Sequence, residues 1–163
     1  MLVRRKMSSL INFFFEDVHK IRLSEKRLLR EWIKRVVGVH LVQLGSINII
    51  LTSDETLFKI NRKYLKHNTL TDTITFSYSE NEALVTGDIF ISLPRIKENA
   101  IIYGVTFRNE LYRVIIHGIL HLLGFDDFRE EGKKEMHTLE NKYLNWLEEM
   151  KKNRSTKNVS REK

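Results

Sequence analysis

The single proline of this chain, Pro94, divides two regimes of hydrophobic periodicity. Upstream, short runs of alternating apolar residues are interleaved with helical repeats; downstream, only the helical repeat remains. A strand that alternates has one face to bury and an amphipathic helix has one stripe, so the two must cover each other. Strands are predicted over residues 9–16 (SLINFFFE), 46–52 (SINIILT), 71–78 (TDTITFSY) and 88–92 (DIFIS). Ser24 is placed to cap a helix over 25–38, where Leu28, Leu29, Trp32, Ile33, Val36 and Val37 recur at helical spacing. Ser53 is placed to cap a second helix through about Leu65. Beyond Pro94 the pattern predicts a helix over 95–103 ending at Gly104. A longer one, capped by Thr106, runs to about Leu123 and stops at Gly124, and an amphipathic helix follows over 131–149. The order β-α-β-α-β-β-α-α-α implies an α+β fold, with about four strands in a mixed sheet packed by helices.

A length of 163 residues suits one domain, here expected over 9–150. No apolar run approaches the roughly 20 residues that span a bilayer, so no membrane partner is expected. INFFF is too short for a secretory h-region and meets Glu16 and Asp17 at once. Cysteine is absent, which removes disulfide scaffolds, thiolate ligands and thiol nucleophiles and fits a cytoplasmic protein. The net charge of +7 suggests a nucleic-acid partner, but residues 1–6 carry +3 and residues 151–163 carry +5, leaving 7–150 at −1. The body is therefore nearly neutral. Residues 1–8 are expected to be a flexible N-terminus and KKNRSTKNVSREK, 151–163, a disordered basic tail.

The chemistry concentrates in HGILHLLGFDD, 117–127. His117 and His121 stand at i and i+4 on the 106–123 helix, so both imidazoles share one face and can offer nitrogens to one cation. Two histidines so spaced also occur as plain core residues, yet Leu120, Leu122 and Leu123 make this neighbourhood one where imidazoles need partners. A catalytic zinc takes three protein ligands. Gly124 can turn the chain back, after which Asp126 or Asp127 can complete the set; His137 in the next helix is another candidate. Zinc peptidases carry a glutamate after the first histidine as general base, and here that place is Gly118, which disfavours peptide hydrolysis.

HGILHLLGFDD resembles the HGxLHLxGxDH motif of the YbeY family, metal-dependent endoribonucleases of ribosomal RNA maturation. INRKYLKHNTLTDTITF, 60–76, resembles the family segment LNxxYRxxDxPTDVLSF, with Asn61, Tyr64, Thr71, Asp72 and Phe76 matching. GDIFIS at 87–92, Glu110, and MHTLENKYL at 136–144 are similar too, so the resemblance covers about residues 9–148. It implies one divalent ion, zinc first, held by His117, His121 and Asp127, the last standing where the family has a third histidine. It also implies a zincin-like HxxxH helix. The implied activity is phosphodiester hydrolysis in single-stranded ribosomal RNA, notably at the 16S 3′ end and in ribosome quality control, with the small subunit as partner. Two further departures are Leu70 for the family's proline and Leu65 for its arginine. The arginine's role would pass to Lys63 or Lys66, with Arg62 and His67 beside them, or be lost. Arg113, four residues before His117, is the third candidate catalytic group, although it also has Glu110 as a salt-bridge partner at i−3. If the lost arginine is decisive, the alternative is a ribosome-associated assembly factor whose metal is structural.

Overall fold

A computed structural model describes residues 10–159, with the side chains of 157–159 excluded. The elements are β1 (Ile11–Phe15), α1 (Lys26–Val39), β2 (Gln43–Thr52), α2 (Asp54–Ile60), β3 (Thr73–Ser77), β4 (Leu84–Ser92), α3 (Leu93–Tyr103), α4 (Phe107–Leu122) and α5 (Glu130–Val159). This is the predicted order. The strands form one mixed sheet in the order β1-β2-β4-β3, in which β1, β2 and β4 run parallel and β3 pairs antiparallel with β4.

Register decides the faces. Ile11 pairs with Ile47, and Ile49 with Ile89, so every second residue of the three parallel strands points to one side. Ile11, Ile47, Ile49, Leu51, Ile89 and Ile91 are completely buried there, against Trp32, Ile33 and Val36 of α1 and Leu111, Ile115 and Ile119 of α4. Each such side chain contributes roughly 1.5–3 kcal/mol on leaving water. On β3, at the sheet edge, the same face carries Thr73, Thr75 and Ser77, opposite Ile91, Ile89 and Gly87. The core therefore ends in a row of hydroxyls.

Local signals explain most boundaries. The hydroxyls of Ser53, Ser92 and Thr106 accept from Thr56, Arg95 and Asn109 N–H at 3.2, 3.2 and 3.1 Å, capping α2, α3 and α4. Gly124 has φ 93°, the left-handed turn expected of it. Ser24 does not cap α1. Glu25 occupies that position without a side-chain cap, because its carboxylate accepts from Tyr112 Oη of α4 at 2.8 Å. The helix begun at Ser53 reaches Leu65 as predicted, but α2 gives way at Asn61 to a π-helical turn, Asn61–Leu65, ended by Lys66 at φ 56°.

The expectation of a disordered tail from residue 151 is corrected over 151–159, which continue α5. Neither glycine nor proline interrupts residues 133–159. Lys151 bonds Glu148 at 2.8 Å and lies 5.0 Å from the Tyr112 ring, and Arg154 pairs with Glu31 of α1. Composition missed these tertiary partners. The expected flexible segment 1–8 and residues 160–163 lie outside the described residues.

Candidate metal centre

The helix α4 crosses the inner face of the sheet at its β4–β3 side, and Gly118 lets it come close. A Cβ at 118 would stand 2.6 Å from Ile89 Cγ2, so no side chain, and no glutamate base, fits there. With Gly118 turned to the sheet, His117 and His121 face the edge hydroxyls of β3. Their Nε2 atoms are 2.9 Å apart, and those of His117 and His121 lie 3.7 and 3.8 Å from Asp127 Oδ2 and Oδ1. One ligand atom from each of the three residues falls within 4.8 Å of the others, a set that can hold a metal ion. Asp126 is occupied elsewhere: its Oδ1 accepts from Phe128 N–H at 3.3 Å, within the loop. Of the two aspartates, the fold brings Asp127 to the histidine pair.

The far ring nitrogens are held as metal-ligating histidines require. His117 Nδ1–H donates to Glu140 Oε1 of α5 at 2.7 Å, and His121 Nδ1–H donates to the Phe125 carbonyl at 3.0 Å. Both Nε2 lone pairs are thus presented to one point. Burial alone would lower the basicity of His117, but the Glu140 hydrogen bond and charge, with Asp127 and Asp72, raise it above the usual histidine range. His121 is lowered, by burial first and then by His117. The two Nε2 atoms stand 2.9 Å apart, so a proton and a cation compete for the same lone pairs.

Glu140 is itself nearly buried and is held from the other side by Arg113 Nη1 at 3.1 Å, while Arg113 Nη2 donates to Asn141 Oδ1 at 3.1 Å. The anticipated Glu110–Arg113 salt bridge gives way to this contact across two helices. Glu110 is instead buried, and desolvation raises its carboxyl above the usual range, as it does for Asp72. His137 stands 3.9 Å from Glu140 and does not join the three-residue set. Glu140 was not among the candidate site residues, although it lies within MHTLENKYL, 136–144, one of the segments that resemble the family.

Two clefts open at the histidines and share His117 and Asp72. One, about 560 Å³, is lined by Asn61, Leu65, His67 and the hydroxyl residues 69, 71, 73, 75 and 77, with His121 and Asp127. Thr75 Oγ1, buried without a hydrogen-bond partner, belongs to this wall, as suits a site that takes a polar ligand. The other, about 400 Å³, lies between α3, α4 and α5 and is lined by Asp72, Tyr103, Glu110, Arg113, His137 and Glu140 among others. Lys63 and Lys66 line neither; the Lys63 ammonium stands 5.0 Å from the Tyr64 ring.

A mixed sheet roofed by a helix that carries two convergent imidazoles, with an aspartate from the following turn, defines an α+β protein with an HxxxH metal-type site. The sequence model of the family described as Endoribonuclease YbeY matches residues 14–148. The Endoribonuclease YbeY of Amoebophilus asiaticus is 42% identical over 134 residues, 82% of this chain and 90% of its own. That of Bacteroides thetaiotaomicron is 46% identical over 120 residues, 74% and 87% of the two chains. A Thermotoga maritima protein solved in solution superimposes with a TM-score of 0.63 at 30% identity, covering 88% of this chain and 93% of its own. This chain belongs to the YbeY endoribonuclease family.

Proposed function

We propose that the chain is a metal-dependent endoribonuclease that hydrolyses phosphodiesters in single-stranded ribosomal RNA. The reading is carried by the convergence of His117, His121 and Asp127 at the meeting point of two clefts, in a member of this family. A divalent ion, zinc by the two-imidazole, one-carboxylate donor set, supplies Lewis acidity toward a phosphoryl oxygen and toward water. His117 and His121 bind it through Nε2 and Asp127 through a carboxylate oxygen. Glu140 keeps the proton on His117 Nδ1, and Arg113 keeps Glu140 in place. The hydroxyl-lined cleft receives the sugar–phosphate chain, and Lys63 and Lys66 lend it positive charge from the adjoining π-helical turn. The setting is 16S ribosomal RNA 3′-end maturation and ribosome quality control in the cytoplasm, with the small subunit as partner. No helix among the described residues is long and apolar enough to cross a membrane.

One observation favours a second reading, an assembly factor with a structural metal: Leu65, not a cation, lines the cleft, and neither lysine does. An assay of single-stranded RNA cleavage with chelator, then with zinc restored, decides between them. Cleavage should vanish and return, and Lys63→Ala or Lys66→Ala should slow it roughly a hundredfold, the size of one lost charge-stabilising group. Cleavage indifferent to chelator removes the metal-dependent reading. No cleavage at all, with Leu65→Arg inert, leaves the assembly factor.

A further inference from the structure

The two clefts that meet at His117 differ in chemistry. One is walled by hydroxyls, whereas the walls of the other include Tyr103, Val105 and Val114. Tyr103, at the end of α3, is 64% exposed, an open aromatic beside a cavity within the size range of ligand sites. Charge decides what can enter. Three carboxyl groups, Asp72, Glu110 and Glu140, line this cleft against the one guanidinium of Arg113, which bonds Glu140 at 3.1 Å. That balance disfavours a phosphate beyond the one at His117. A nucleobase is neutral, offers a π face to a tyrosine, and in adenine, cytosine and guanine carries an exocyclic amino group that donates to a carboxylate.

We infer that the cleft between α3, α4 and α5 is a nucleobase pocket, in which Tyr103 stacks on a base next to the phosphate at His117, and Asp72 and Glu110 select bases bearing an exocyclic amino group. The inference rests on the endoribonuclease reading and adds a direction to it. The substrate backbone follows the threonine wall of β3, passes the histidine pair, and turns one base under α3. Tyr103 does so without any contribution to the metal ligands.

Binding of a single-stranded oligoribonucleotide to the full chain, held uncut by chelator, tests this by fluorescence anisotropy. Tyr103→Ala should weaken binding roughly tenfold, the worth of one stacked base, and Tyr103→Phe should not. An abasic residue scanned along the strand should cost the wild type a similar factor at one position only. That penalty should disappear in Tyr103→Ala, and uracil at the position should bind less well than cytosine. Equal binding by wild type and Tyr103→Ala, or an abasic penalty that persists in full in the variant, overturns the pocket. Equal binding of uracil and cytosine overturns the role given to Asp72 and Glu110. A wild-type chain that neither binds nor cuts single-stranded RNA overturns the endoribonuclease reading as well, whereas normal cutting with an indifferent Tyr103 overturns the pocket alone.

Discussion

Asp126 and Asp127 are adjacent and chemically identical, yet the backbone gives them different tasks. Asp126 accepts an N–H inside its own loop, and Asp127 faces both Nε2 atoms. Asp127→Ala should therefore abolish stoichiometric zinc in the purified protein, and Asp126→Ala should leave it bound, as metal analysis of the two variants will show. The reverse result would move the third ligand. Asp127→His, which restores the family triad, should hold zinc at least as firmly, since an imidazole keeps the donor count at three. Gly118 illustrates the same local logic in space rather than charge: the side chain missing there is missing because Ile89 fills its place.

Between elements, the coupling that matters runs from α5 to α4. Glu140 bonds His117 on one side and Arg113 on the other, so the helix after the Asp127 loop orients the helix before it. Glu140→Gln keeps the shape and removes the charge. Zinc affinity should fall about 10- to 100-fold, the usual effect of losing a carboxylate behind a ligating histidine, with an unchanged circular dichroism spectrum. An unaltered zinc affinity would reduce Glu140 to packing. The far end of α5 has no such task. Its Arg154–Glu31 contact is an exposed ion pair of the kind worth about 0–1 kcal/mol.

The acid stability of the whole molecule has an identifiable contributor in the turn between β1 and α1. Burial pushes the Asp17 carboxyl up, but hydrogen bonds from Ser53, Thr56 and Thr52 outweigh it and hold it at about 2 instead of its ordinary 3.8. Because the folded value is the lower one, this stabilisation is present above the unfolded value and disappears as pH falls through the folded one. Asp17→Ala should cost about 0.5–1 kcal/mol near neutral pH, the size of a lost helix cap at an exposed position. The melting-temperature gap between wild type and variant should close as pH falls from about 4 toward about 2; a gap independent of pH would assign the loss to packing. Asp17 also shows where reading a sequence stops, because its partners lie 35 to 39 residues away. By itself the sequence determined the element order, the caps at Ser53 and Thr106, the break at Gly124 and the HxxxH pair, since each depends on neighbours within about one helical turn or one strand period. It also carried the motifs that mark the family. Only the tertiary structure decided which aspartate meets the histidines, that Arg113 holds Glu140 and not Glu110, that residues 151–159 stay helical, and that Ser24 leaves α1 uncapped. Each of those outcomes is a contact between segments brought together by burying one sheet face, and no local pattern encodes which side chains that burial makes neighbours.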